Sequence, residues 1–153
     1  MFNDLWATFS QQFPDNFASL LTVSTVETVY MSVLSTLIAA LLGLPLGFLT
    51  FLTNKGAILE NKKLNAFLNV IINIGRSIPY IILLLALIPL TSWLLPGGSI
   101  GSNAAIVSLS AAATPFFARL TSNALFEIPT GLTETAKAMG ATNWQIIRKF
   151  YFP

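Results

Sequence analysis

The 153-residue chain contains no cysteine and no histidine. The absence of cysteine excludes disulfides and thiol nucleophiles, and the absence of both residue types removes the usual zinc ligands and histidine acid–base chemistry. No phosphate-binding loop is present either, because the glycine-rich 97–101 segment is not followed by the Lys-Ser/Thr pair that such a loop requires. We therefore expect no catalytic residue, no metal site and no bound cofactor.

Charged residues are also scarce. They make up 9% of the chain, against roughly 25% in typical soluble domains, which is too few to cover a soluble surface. The net charge of +2, with no basic cluster interleaved with aromatics, argues against a nucleic-acid partner. The length suits one domain. We predict that residues 1–153 form a single all-α, integral membrane helical bundle.

Three apolar stretches, at about 28–53, 64–96 and 103–125, are predicted to span the membrane. The first carries no charge and exceeds the roughly 20 residues that a spanning helix needs. Gly43 and Gly47, four residues apart, favour close approach of another helix, and Pro45 between them predicts a kink. The small residues of 104–114 favour tight contacts for the third stretch, which Pro115 could weaken or kink.

The second stretch is too long for one straight span and is interrupted by Arg76 and Pro79. We predict a helix disturbed at Ser77–Pro79 that continues through 80–95, with two short re-entrant pieces as the alternative. A charge within a bilayer is costly and usually functional, so Arg76 is a candidate structural or pathway residue. The other interpretation is that Arg76 lies near the cytoplasmic boundary and extends its side chain to water. Ser77, Pro79, Pro115 and Arg119 are further candidates, and Arg119 is expected to reach water at the cytoplasmic end.

Basic residues gather in two short segments, at 54–63 and 137–149. Cytoplasmic loops of membrane proteins are enriched in Lys and Arg, so both segments are predicted to be cytoplasmic. The N-terminal 26 residues carry no Lys or Arg and are predicted to lie outside, as is the uncharged 95–102 loop. Trp6, Phe9, Phe13 and Phe17 recur at helical spacing there and suit an interfacial anchor or packing against the bundle.

The segment 128–153 is predicted to fold as helix, glycine turn, helix. Thr130 is the expected N-cap and Gly140 the expected stop, since glycine adopts the left-handed conformation at little cost. Glu134 falls in or near the first turn, and Thr142 or Asn143 caps the second helix, which Pro153 closes. Trp144, Ile147 and Tyr151 are predicted to share one face. On this evidence alone the segment could equally be an ordinary helical hairpin between spans.

The spacing Glu134-Thr135-Ala136, then Gly140, then Pro153 resembles the "EAA" loop of binding-protein-dependent ABC importer permeases. Thr135, Phe150 and Phe152 depart from that pattern. The resemblance implies a cytoplasmic loop whose first helix docks on an ATPase subunit and couples ATP hydrolysis to rearrangement of the spans. The residues it assigns to this coupling are Glu134, Ala136, Lys137, Ala138, Met139, Gly140 and Ala141.

Segments 76–82, 98–101, 113–119 and 123–129 are similar to the methionine-importing branch of this family. The resemblance implies a type I importer transmembrane domain in the bacterial inner membrane, of which 1–153 is the N-terminal portion. It implies a second permease copy, two ATPase subunits, an extracytoplasmic binding protein and D- or L-methionine as the small-molecule substrate. The alternatives are a permease for another nutrient, a non-transporting scaffold, and a membrane enzyme. The last is disfavoured because Arg76 and Arg119 are the only charges in the apolar stretches after residue 64.

Overall fold

A computed structural model describes residues 17–95 and 101–151. The predicted aromatic anchor (apart from Phe17), most of the 95–102 loop and Pro153 lie outside those ranges. The described residues are mostly helical and contain no strand, which confirms the all-α prediction. The elements are α1 (Phe17–Leu52), α2 (Lys62–Ser77), α3 (Tyr80–Leu94), α4 (Ser102–Phe126), α5 (Thr130–Ala138), α6 (Asn143–Ile146) and a terminal π-helix (Ile147–Tyr151).

The core of the bundle is a parallel pair formed by α1 and α4. At one end the Ser102 hydroxyl donates to Glu27 Oε1 over 2.8 Å. Farther along, the Ser110 hydroxyl lies 3.4 Å from the carbonyl oxygen of Ser35, with Ser110 as donor. In both pairs the two residues are 75 positions apart in the sequence, so the two helices run side by side in the same direction. Both helices therefore begin at one end of the bundle and end at the other.

Gly43 and Gly47 allow this close approach. A Cβ built on Gly43 would lie 2.5 Å from Phe117 Cβ and 2.8 Å from the carbonyl oxygen of Thr114. One built on Gly47 would overlap the carbonyl oxygen of Ala118. The predicted role of the two glycines is confirmed, and α4 is the helix that approaches them.

The chain returns between α1 and α4 through a broken helix. Pro79 lacks an N–H and holds Ile78 in an extended conformation (φ −78°, ψ 122°), so the helix ends at Ser77 and the direction changes by 106°. The interruption predicted at Ser77–Pro79 is confirmed. Because α1 and α4 begin at the same end, α2 and α3 together must carry the chain back along the bundle. This arrangement favours a broken crossing over two re-entrant pieces.

Helix α1 is longer than the predicted 28–53 stretch, since it begins at Phe17. No Gly or Pro lies between Phe17 and Thr28 to interrupt the helix there. The threonines of this segment are compatible with a helix because their hydroxyls donate to carbonyls three or four residues back, as Thr25 does to Leu21. Its 36 residues extend about 54 Å, which exceeds a hydrocarbon core of roughly 30 Å. Helix α4 matches the 103–125 stretch to within one residue at each end. Helices α1 and α4 continue past Pro45 and Pro115.

Candidate functional site

The N-cap of α5 is Pro129, not Thr130. Pro129 is the N-cap (φ −59°, ψ 130°), and its carbonyl accepts from the Leu132 N–H over 3.0 Å. Proline fixes its own φ at a suitable value and has no N–H that needs a partner, so Thr130 already lies within the helix. The predicted N-cap is therefore wrong by one position. Glu134 consequently lies beyond the first turn, where the helix dipole contributes little.

Gly140 ends α5 as predicted. Its φ is +79°, and its N–H donates to the Lys137 carbonyl over 3.0 Å. The Ala141 N–H donates to the Ala136 carbonyl, also over 3.0 Å. These two bonds form a complete Schellman motif, which satisfies carbonyls that the helix end would otherwise leave unpaired. The turn therefore fixes the direction in which the chain leaves α5.

Thr142, rather than Asn143, caps α6. The Gln145 N–H donates to Thr142 Oγ1 over 3.4 Å and the Thr142 N–H donates to Gln145 Oε1 over 2.8 Å, which is a capping box. The prediction that Trp144, Ile147 and Tyr151 share one face is wrong. Trp144 is 68% exposed, whereas Ile146 and Tyr151 are buried.

A change of helix type explains that error. Residues 147–151 are π-helical, with i→i+5 hydrogen bonds, so residues five apart come to lie on the same side. Ile146 and Tyr151 have this spacing, and both are buried. The prediction assumed a regular α-helix throughout.

We call residues 130–151 the hairpin. The hairpin packs on the bundle through a small apolar cluster. We call it the hairpin cluster; its buried members are Phe51, Leu52, Ala136, Ile146 and Tyr151. The Tyr151 ring meets the Phe51 ring edge-on, with centroids 5.1 Å apart. The Tyr151 hydroxyl is also 2.9 Å from Thr133 Oγ1, which binds the end of the hairpin to α5. The hairpin is thus joined to the last turn of α1.

Most of α5 remains uncovered. Ala136 has no exposed area, and among positions 131–139 only Ala136 and Thr133 are not exposed. Met139 is 69% exposed. The Glu134 side chain makes no hydrogen bond or ion pair with any residue that the structure describes. Helix α5 is therefore held on one narrow side, and the rest of its surface is exposed.

A groove of about 380 Å³ separates α5 from the loop after α1. Glu134 and Lys137 line it on one side and Lys55 on the other, and all three side chains are exposed. The groove therefore offers both signs of charge for a polar contact at its rim. Its lining is Phe51, Asn54, Lys55, Gly56, Ala57, Phe126, Ile128, Thr133, Glu134, Lys137 and Tyr151.

The remaining candidate residues lie within the bundle and not at the hairpin. Arg76, Ser77 and Pro79 are exposed at the break between α2 and α3. Arg76 is at the opposite end of α2 from Lys62, so it does not lie near the boundary at which α2 begins. Pro115 is half-buried and contacts α2 at Gly75.

Arg119 belongs to a polar chain that the sequence did not reveal. It is half-buried, and its Nη1 donates to Asn69 Oδ1 over 3.2 Å instead of only reaching toward water. Asn69 Nδ2 in turn donates to Asn65 Oδ1 over 3.0 Å, and Asn65 Nδ2 donates to the Thr50 carbonyl over 2.7 Å. These three hydrogen bonds connect α4, α2 and α1. The one available signal was the four-residue spacing of Asn65 and Asn69, which places both side chains on one side of α2.

The chain is similar to known permease proteins of transport systems. Residues 43–153 match the family described as binding-protein-dependent transport system inner membrane component. The chain is 62% identical, over 88% of its length, to the probable D-methionine transport system permease protein MetI of Pasteurella multocida. It is 50% identical, over 83% of its length, to the D-methionine transport system permease protein MetI of Escherichia coli K12.

The structure is similar to a solved one, that of the MetNI methionine ABC transporter in an inward-facing conformation. The TM-score is 0.85 at 46% sequence identity, with 92% of this chain and 65% of that chain covered. The chain spans 61% and 58% of the lengths of the two MetI relatives.

Proposed function

The chain belongs to the family of binding-protein-dependent transport system inner membrane components, and on that basis we propose that it forms part of the permease subunit of a methionine importer. The identity of 62% to a probable D-methionine permease supports methionine, in the D or L form, as the substrate. ATP is hydrolysed by a separate subunit in this proposal. The permease contributes the membrane path and the surface on which that subunit acts.

One observation carries the mechanism: α5 is fixed to the bundle on one side and exposed on the others. Ala136 is fully buried against the ends of α1 and α4, while Glu134, Ala138 and Met139 are exposed. A helix transmits motion between two bodies only if it is firmly held by both. The hairpin cluster supplies the first attachment, and an ATPase subunit bound to the exposed surface supplies the second.

The partners in this proposal are two ATPase subunits, a second permease copy and an extracytoplasmic binding protein that delivers the substrate. The similarity to a MetNI methionine ABC transporter supports the ATPase partner. Closure of the two ATPase subunits would move both hairpins and thereby change the side of the membrane to which the path opens.

The geometry and the charges of the bundle support a proposed orientation in the membrane. The loop after α1 and the hairpin lie at the same end, where Lys55, Lys62 and Lys137 are exposed. Positively charged loops favour the cytoplasmic side, so in this proposal this end is cytoplasmic and the other end, with Glu27 and Ser102, is outside. The parallel α1 and α4 with the returning α2–α3 then give three crossings.

Cysteine labelling tests this orientation, because the chain has no cysteine of its own. We expect an impermeant thiol reagent applied to intact cells to label Asn103→Cys, which is exposed at the start of α4, but not Lys55→Cys. Lys55→Cys should react only after the cells are permeabilised. Labelling of Lys55→Cys but not of Asn103→Cys in intact cells would show that the orientation is the opposite of the proposed one.

The substrate assignment is tested by uptake. Deleting the gene is expected to abolish high-affinity uptake of radiolabelled methionine at nanomolar to micromolar concentrations, and the gene on a plasmid should restore it. Uptake of an unrelated amino acid serves as the control. Unchanged methionine uptake with loss of another nutrient would preserve the transporter assignment and contradict the substrate, whereas no loss of any nutrient would favour a scaffold.

A further inference from the structure

Arg76 lies halfway along the bundle. Helix α2 begins at Lys62 and rises about 1.5 Å per residue, which places Arg76 about 21 Å from the start of the helix. Gly75 is in contact with Pro115, since a Cβ on Gly75 would lie 2.6 Å from Pro115 Cγ. Pro115 is near the middle of α4. In a hydrocarbon core roughly 30 Å thick, Arg76 therefore lies far from both membrane surfaces.

The charge of Arg76 has no neutralising partner in the described structure. Its side chain is exposed and makes no hydrogen bond or ion pair with a described residue. The sequence contains no Asp or Glu between Asn61 and Phe126. The described acidic residues lie at the two ends of the bundle: Glu27 at one end, and Glu60, Glu127 and Glu134 at the other.

Arg76 continues a polar stripe on α2. Asn65, Asn69 and Asn73 are spaced by four residues, and Arg76 follows three residues after Asn73, so all four share one side of the helix. The first two are bonded within the bundle, whereas Asn73 and Arg76 are exposed. Ile74, which is 56% exposed, lies on a different, apolar side. Exposed polar groups at this depth are costly in lipid, and such groups face water-filled cavities in membrane proteins.

We propose that Arg76 faces the water-filled transport path and binds the carboxylate of the transported amino acid at the α2–α3 break. The inference rests on the proposed function, which supplies an amino-acid substrate. A guanidinium is always charged and pairs with a carboxylate through two parallel hydrogen bonds. Arg76 therefore supplies the positive charge that an amino acid needs at the midpoint of its path.

A pair of single-cysteine variants tests the proposal in the complete transporter. Arg76→Cys should react with water-soluble methanethiosulfonate reagents, and saturating methionine with the binding protein should slow that reaction. Ile74→Cys, two positions away, is exposed in the chain but should be unreactive because it faces lipid. Arg76→Cys should import methionine about tenfold more slowly or worse, as expected for loss of a charged hydrogen bond. Reaction with the cationic aminoethyl reagent should restore import several-fold, and the neutral methyl and anionic sulfonatoethyl reagents should not.

The outcomes separate this inference from the proposed function. Absence of methionine import by the parental transporter would contradict the proposed function itself. With parental import intact, an unreactive Arg76→Cys would contradict the water-filled path at this position. Import that is unchanged in Arg76→Cys, or restored equally by all three reagents, would contradict carboxylate binding. A Lys62→Gln variant, which removes a cation at the start of the same helix, should import at the parental rate.

Discussion

Gly140→Val is expected to abolish methionine import while leaving the permease in the membrane at its normal abundance. Gly140 has φ +79°, and a β-branched residue held in this region is strained by about 1–3 kcal/mol. Relief of that strain breaks the Schellman bonds to Lys137 and Ala136 and changes the angle between α5 and α6. Import and ATP hydrolysis stimulated by the loaded binding protein are both expected to fall to background.

Gly131→Ala is the matched control for this prediction. Gly131 and Gly140 both have open space where a Cβ would be placed, but only Gly140 has a positive φ. Alanine should therefore be neutral or slightly stabilising at 131, by up to about 1 kcal/mol from helix propensity. Gly140→Asn, which tolerates the left-handed conformation, should retain import. Parental import by Gly140→Val at equal membrane abundance would show that the glycine turn is not required for coupling.

Gly47→Leu is expected to remove the folded permease from the membrane. Even the first side-chain atom at position 47 would overlap the carbonyl oxygen of Ala118 and lie 2.7 Å from Thr121 Cβ. The obstacle is backbone in the middle of α4, so the helices can relieve the overlap only by separating along their longest contact. Overpacking of a core commonly costs about 1–3 kcal/mol, and an overlap with rigid backbone belongs at or above that range.

The control for Gly47→Leu is a substitution of an exposed residue on the same helix, Leu44→Val. Leu44 is 50% exposed, so we expect parental abundance and parental thermal stability in detergent. Gly47→Ala should show an intermediate loss, because it adds only the overlapping atom. Equal abundance and melting temperature of Gly47→Leu and the parental protein would show that α1 and α4 do not approach at this glycine.

Features determined by local chemistry could be predicted from the sequence. Pro79 restricts both itself and the preceding residue, so the break after Ser77 follows from covalent structure alone. The end of α5 at Gly140 could likewise be predicted from the residue type. The start of α5 was predicted to within one position, because Pro129 and not Thr130 is the N-cap. The spacing of Gly43 and Gly47 indicated a close helix contact, although the sequence did not identify α4 as the partner.

Features that depend on tertiary contacts could not be predicted. The π-helix at 147–151 brings Ile146 and Tyr151 to the same side, which a regular α-helical period does not allow. The hydrogen bond from Arg119 to Asn69 joins residues on different helices, so it requires the register of α2 against α4. The depth of Arg76 likewise depends on the position of α2 in the bundle, which the contact between Gly75 and Pro115 establishes.

We propose that the exposed surface of α5 binds the ATPase subunit, and cross-linking from that surface tests this most directly. A photo-reactive amino acid at Met139, which is 69% exposed, is expected to form an adduct with the ATPase subunit when membranes are irradiated. The same amino acid at Trp93, which is 83% exposed at the other end of the bundle, should form none. Absence of an adduct from Met139, or an equal adduct from Trp93, would contradict the account.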